Sequence, residues 1–288
     1  MKAPSSGSVA SFLQVAPMAI ILICLVLLPL CMIFAVSFMD YGFAEVIPEL
    51  LWENYTDIFT SDLTLRLYAQ TFKFVAIVWA VTLLLGFTIS YYLVFHVRSG
   101  AMRAICMAAC AIPFWTSGPI RMISWIPLLG REGLVNKALL DIGVIEQPLS
   151  WLLYSEFSVI IVYINVLTLA MLGPIANSMS KIDQSLIHAA RDQGANEWQI
   201  VTSIILPLVK PGIAIGSIFI ITAVMGDFFI VKQMGGGQIN TAVGAITTEL
   251  NAFQYPPAAA KSVVMLVIVL TFVAALLRLV DIRKELAN

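Results

Sequence analysis

The chain has 288 residues, 60% of them hydrophobic and only 11% charged, and its mean hydropathy is +0.94. That is too apolar for a globule with a wetted surface, so the chain is an integral membrane protein. A formal net charge of −1, with no basic run or stripe, argues against a nucleic-acid partner.

Residues 1–11 form a short polar tail. No charge occurs between Lys2 and Asp40. This stretch exceeds the roughly 7–15 residues of a cleavable signal core and is long enough to cross a bilayer, which places helix 1 at roughly Phe12–Met39. Asp40–Arg66 then carries Glu45, Glu49, Glu53, Asp57 and Asp62 with Trp52, Tyr55 and Phe59, an acidic external loop at the membrane interface. The uncharged run between Lys73 and His96 is helix 2, and His96, Arg98 and Arg103 mark a tight cytoplasmic turn. Helix 3 starts near Ala104 and is interrupted by Pro113, Gly118 and Pro119. Such a kink either serves packing or faces a pathway, because freed backbone groups at membrane depth need protein or a watery cavity to receive them.

Pro127–Glu156 reads as an external loop where a partner docks, with an amphipathic piece at Leu134, Ala138 and Leu139 and an interface anchor at Trp151–Tyr154. Helix 4 covers about Phe157–Ser180 and helix 5 about Gly212–Val231, with Asp227 inside helix 5 and Lys232 at its end. Gly235–Gly237 opens a flexible external loop that runs through Glu249 to Tyr255, Pro256 and Pro257, and helix 6 spans about Ala258–Leu279 before a tail with Arg283 and Lys284. Six spans put both termini in the cytoplasm. The cytoplasmic segments then hold nine Lys/Arg against five acids and the external ones seven against twelve, the bias expected of this orientation. The four cysteines, Cys24, Cys31, Cys106 and Cys110, lie inside apolar segments as small core residues.

Between helices 4 and 5 lies a polar, helix-patterned insert, HAARDQGANEWQIVTSIILPLVKPGI, residues 188–213. Ile182, Leu186 and Ala189 fall at helical spacing, and Asp183 is placed to cap the helix start. Gly194 ends that helix. Asn196 and Gln199 form a capping box for a second one, with Val201, Ile204, Ile205 and Leu208 as its apolar stripe. Pro207 and Pro211 close the hairpin, Pro211 fitting the first turn of the next span. Small Ala189 and Ala190 let another surface approach closely, inside a rim of Arg191, Asp192 and Glu197.

The spacing of this insert is Ala189-Ala190, three residues, Gly194, nine residues, then Ile204, one residue, Leu206 and Pro207. It resembles the EAA loop of ATP-binding-cassette importer permeases. The resemblance implies an all-α integral membrane protein with six transmembrane helices and the type I importer permease fold, methionine-importer-like, in the bacterial inner membrane. Its domains would be 1–66 (tail, first span and external loop), 67–279 (the transmembrane domain, with coupling loop 181–211) and 280–288 (cytoplasmic tail). His188, Ala189, Ala190, Gly194, Ala195, Ile204, Leu206 and Pro207 would meet the ATPase. The family's Glu is His188 here, which puts that one contact in doubt. Implied partners are two copies of an ATPase, a second homologous permease, a periplasmic solute-binding protein and the lipid bilayer. HAARDQGA, LPLVKPGI and the MGGG of Met234–Gly237 are closest to the spermidine/putrescine branch, with permeases for amino-acid derivatives, opines or ferric iron as alternatives.

No GxxxxGK[ST] pattern occurs, so ATP and Mg belong to the partner and this chain binds no cofactor of its own. The two histidines are His96 and His188, far apart in sequence, which argues against a zinc site. No catalytic constellation appears, so the chain is read as a transport subunit and not an enzyme. Candidate pathway residues are Asp227, Trp115, Arg121, Asn165 and Phe228, with Trp125 and Phe229 as further aromatics. Asp227 either lines a gate or cation path or pairs with Arg121 or Lys232. Asn165, Thr168, Ser217 and Thr222 either contact a solute or join helices. An ion-coupled carrier would show repeated halves and several midplane acids, and a structural subunit would tolerate a bulky residue at position 194; this chain shows no repeat and one plausible acid.

Overall fold

The computed structural model describes residues 14–18, 20–42, 45–97 and 99–279. The N-terminal tail, Phe12, Arg98 and the tail with Arg283 and Lys284 lie outside the described residues. Helices dominate, because a backbone in hydrocarbon must satisfy its own hydrogen bonds. Among the described residues there is one two-stranded sheet, β1 (Asp40–Tyr41) antiparallel to β2 (Val46–Ile47), with Asp40 opposite Ile47. In chain order the helices are α1 (Gln14–Val36), α2 (Glu53–Thr60), α3 (Asp62–Tyr91, running on as a π turn Tyr92–His96) and α4 (Gly100–Trp115). Short helices α5 (Gly118–Ile123), α6 (Trp125–Leu129) and α7 (Leu134–Asp141) precede α8 (Glu156–Ser180). Then come α9 (Gln184–Asp192), α10 (Glu197–Gly226), α11 (Phe229–Met234), α12 (Ala242–Asn251) and α13 (Tyr255–Leu279).

Five of these, α1, α3, α8, α10 and α13, are long and apolar enough to cross a membrane among the described residues. The expected third span is shorter, as its interruptions imply. It stops at Trp115, and Ser117 caps the next piece by accepting from the Ile120 amide. Several boundaries differ from the charge pattern. The span after the first external loop starts at Asp62, because Ser61 accepts from the Thr64 amide and two polar turns extend the helix beyond its apolar run. The last span starts at Tyr255, with Pro256 and Pro257 in its first turn, where a missing N–H costs nothing.

The chain divides into two compact units, Met1–Leu65 with Ala245–Leu266, and Arg66–Gly244 with Val267–Asn288. In the first, α1 is apolar on all sides, as lipid contact requires. Its end is tied down by Ser37, which donates to the Phe34 carbonyl at 2.7 Å and meets the Tyr55 hydroxyl at 2.7 Å. Asn54 donates to the Met39 carbonyl at 2.9 Å. Lys261 pairs with Glu249.

The second unit is built on a seam between α8 and α10. A Cβ at Gly212 would lie 2.5 Å from the Pro174 carbonyl oxygen, and one at Gly216 2.6 Å from Met171 Sδ. Two glycines four residues apart thus let the backbones touch. Helix α3 joins the pair through Gly86, whose Cβ would meet Met171 Cγ at 2.9 Å, while Trp79 donates to Ser217 Oγ at 2.8 Å and Ser90 to the Leu172 carbonyl at 3.2 Å. Ser217 therefore joins helices, while Thr168 and Thr222 bond carbonyls of their own helices.

The seam separates two otherwise similar substitutions. Gly212→Ala drives a methyl into backbone and is expected to cost about 1–3 kcal/mol, whereas Gly173→Ala, with nothing within 4 Å of its Cβ, gains up to about 1 kcal/mol of helix propensity. Thermal denaturation in detergent, followed by loss of monodisperse protein, should lower the midpoint for the first and not for the second.

Candidate functional site

The polar insert folds as the caps dictate. Asp183 accepts from the Ser185 amide at 2.9 Å and starts α9. That backbone bond holds its carboxyl below the usual 3.8, so the cap is intact at neutral pH and is lost only as pH falls through the lowered value. At the other end Gly194 takes φ +85°, with its amide on the Arg191 carbonyl at 2.9 Å. Asn196 and Gln199 exchange bonds of 2.9 Å in both directions, the expected capping box, and start α10.

Beyond this point the structure departs from the pattern. Helix α10 does not stop at the prolines but runs from Glu197 to Gly226, so the second arm of the hairpin is the start of a membrane span. A π turn at Val201–Ile205 makes this possible. The Leu206 amide reaches back to the Val201 carbonyl, and the wider turn gives the Pro207 ring room. Pro211 sits within the helix. The extra residue of the π turn also rotates the buried stripe, which is Ile200, Ile205 and Val209, with Ile204 half-buried and Leu208 exposed. In α9 the buried residue is Ile187, and Leu186 is 50% exposed.

His188, Ala189, Gly194, Leu206 and Pro207 are exposed, and Ala190 and Ala195 half-buried. A Cβ at Gly194 would meet nothing within 4 Å. Trp198, 74% exposed, stands on the first turn of α10. A large aromatic directly after a capping residue was the signal for it in the sequence. Behind the hairpin, Arg191 Nη2 and Nε contact Glu197 Oε1 at 2.8 and 3.0 Å, and the Tyr91 hydroxyl donates to Glu197 Oε2 at 3.3 Å. A cavity of about 430 Å³ lies beside them, lined by Tyr91, Phe95, Gln184, His188, Arg191 and Ile205 among others.

At the other end of α10 the candidate pathway residues separate. Asp227 is not inside the helix but follows its last residue in extended conformation. Its Oδ1 accepts from the Tyr163 hydroxyl at 3.1 Å and from the Ile230 amide at 2.8 Å. It therefore pairs with neither Arg121 nor Lys232, whose ammonium lies 5.1 Å from the centre of the Phe228 ring. Tyr163 carried no sequence signal beyond an aromatic in an apolar helix. Helix α5, with Arg121, packs on α8 and α11, which brings Arg121 into the same region. Trp115 is 90% exposed, and Asn165, two residues along α8 from Tyr163, turns away from that group and is exposed.

The segment read as the second external loop has internal structure of its own. Asn136, fully buried in α7, donates to the carbonyls of Gly130 and Leu149 at 3.1 Å and accepts from the Leu149 amide at 2.8 Å. The expected apolar face is turned outward, Leu134 being 66% exposed. The three glycines form a turn in which Gly236 and Gly237 take positive φ, and Gly236 packs against the Tyr154 ring.

Residues 5–285 match the family described as binding-protein-dependent transport system inner membrane component. The chain is 31% identical over 239 residues to the spermidine/putrescine transport system permease protein PotB of Haemophilus influenzae, covering 79% of each chain. It is likewise 31% identical over 252 residues to PotB of Escherichia coli, covering 86% of this chain and 89% of that one. It is similar in fold to a chain in the crystal structure of a bacterial alginate ABC transporter in complex with an alginate pentasaccharide-bound periplasmic protein, with a TM-score of 0.76 at 17% identity, over 93% of this chain and 92% of that one.

Removing the second cap tests the hairpin alone. Asn196→Ala is expected to cost about 1 kcal/mol locally, read as roughly fivefold faster hydrogen exchange at the Gln199 amide.

Proposed function

The chain belongs to the family of binding-protein-dependent transport system inner membrane components, and from that premise we propose the machine in which it works. It is the permease subunit of an ATP-binding-cassette importer in the inner membrane, and not itself an enzyme. In the reading we infer, it sits beside a second homologous permease, on two copies of an ATPase that carry ATP and Mg, and receives solute from a periplasmic binding protein. Both termini are cytoplasmic, and residues 67–279 form the transmembrane domain.

The observation that carries this reading is the exposed hairpin whose second arm is continuous with a span. A partner that grips Ala189, Ala190 and Gly194 grips a lever, since α10 runs without a break from Glu197 to Gly226. Closure of the ATPases on ATP would swing that lever and turn the solute pathway outward, and hydrolysis would reset it.

The cargo we propose is a polyamine. The support is 31% identity to two permeases named for spermidine and putrescine. The chemistry agrees, since carboxylates and aromatic faces handle a multiply charged cation, and Asp227 and Phe228 are adjacent at the outer end of α10.

Two measurements test this. Gentle extraction of the tagged chain should recover an ATPase and a second permease, and the reconstituted complex with its binding protein should take up labelled spermidine or putrescine; recovery of the chain alone, or uptake only of an amino-acid derivative, overturns the assembly or the cargo respectively. Gly194→Trp should abolish uptake while the protein still inserts, and normal uptake by that variant overturns the role of the hairpin.

A further inference from the structure

The continuity of α10 explains how one span follows the hairpin, but α3 also ends beside it. We infer that Glu197 divides the hairpin's movement between two spans, α10 through the chain itself and α3 through the Tyr91 hydroxyl. This rests on the hairpin being the part that the ATPase moves.

Glu197 is the first residue of α10, three positions past the Gly194 turn, and its two oxygens serve different elements. Oε1 holds Arg191 from α9 at 2.8 Å, bracing the two arms of the hairpin against each other. Oε2 receives the Tyr91 hydroxyl at 3.3 Å. Tyr91 is the last residue of α3 before its π turn, and its ring is held at 5.4 Å from Phe95 and 5.2 Å from His96, which fixes the direction of the hydroxyl. His96 is itself stacked on Tyr92 at 5.6 Å.

The space around this bond gives it its importance. The 430 Å³ cavity separates Tyr91 and Phe95 from Gln184, His188 and Ile205, so close packing does not fill the gap between the inner end of α3 and the hairpin, and the bond spans it. Two π turns, Tyr92–His96 and Val201–Ile205, flank the same gap. Such turns are where helices bend. The cavity is thus room into which the hairpin can close on α3, and the bond takes up the slack between them. Arg191 and Glu197 have side chains 47% and 60% exposed. A contact that open is weak and screened by salt, as suits a latch remade in every cycle.

Tyr91→Phe keeps the ring and removes the hydroxyl. In the complete complex reconstituted in sealed proteoliposomes, this variant should still assemble with the ATPase, but the number of solute molecules moved per ATP should fall about two- to tenfold, the scale set by one hydrogen bond. Spin labels at Thr88→Cys on α3 and Asn177→Cys on α8, with the four native cysteines replaced by serine, should keep nearly the same separation on ATP binding, and Tyr91→Phe should make that separation change. Adding Glu197→Gln to Tyr91→Phe should lower the ratio by less than the two single effects combined. An unchanged ratio and an unchanged label movement in Tyr91→Phe overturn the inference. Gly194→Trp in the same assay separates the two levels: loss of uptake there, with Tyr91→Phe unaffected, overturns only the α3 branch, while normal uptake by Gly194→Trp overturns the hairpin reading with it.

Discussion

The contact on which the second unit depends is the seam where Gly212 and Gly216 let α10 lie against Pro174, Ser178 and Met171 of α8. In a bilayer no hydrophobic force drives helices together, so close backbone approach and a few interhelical hydrogen bonds must do it. The position of the seam matters as much as its existence. Helix α8 leads into the first arm of the hairpin and α10 is the second arm. Pinning them here makes the two spans one stiff body just beyond the hairpin, with the π turn of α10 between that body and the turn at Gly194. Close approach at the seam leaves little slack between these two helices.

The π turn at Val201–Ile205 is the counterpart of that stiffness. It lets a helix pass two prolines and turns the buried stripe onto Ile200, Ile205 and Val209. An α-helix with regular spacing through this stretch would present Ile204 and Leu208 to the core instead. The irregularity thus sets which face of the second arm is buried and which stays exposed.

How much of this was legible in the sequence follows the range of the interactions. Asp183, Gly194, Asn196 and Gln199 act within four residues of themselves, so their spacing alone gave the turn and both helix starts, and the structure places each where its chemistry requires. The spans were legible from uncharged runs, though not their ends, because Ser61 extends a helix with polar residues that hydropathy ignores. The continuity of α10 was not legible. Prolines ordinarily stop helices, and the π turn that accommodates them has no residue signature of its own. Nor was the buried role of Asn136, a polar residue on a helix otherwise patterned as apolar inside and polar outside.

The outer end of α10 shows the limit most clearly. An acid in an apolar stretch reads as an ion pair or a pathway residue, and Arg121 and Lys232 were the charges at hand. The structure gives Asp227 neutral donors instead, among them the Tyr163 hydroxyl and the Ile230 amide, both on Oδ1. The amide bond is local, the kind an acid makes at the start of a short helix, and it explains why the chain breaks between α10 and α11. The Tyr163 bond crosses 64 positions and belongs to packing. With Oδ1 so occupied, the carboxylate is held in place by a tyrosine hydroxyl and a backbone amide. This end of α10 is held by a contact between distant parts of the chain, while the hairpin at the other end is specified by local caps. The two ends are thus encoded by different kinds of contact, and only the local kind is short enough in range to be read along the chain.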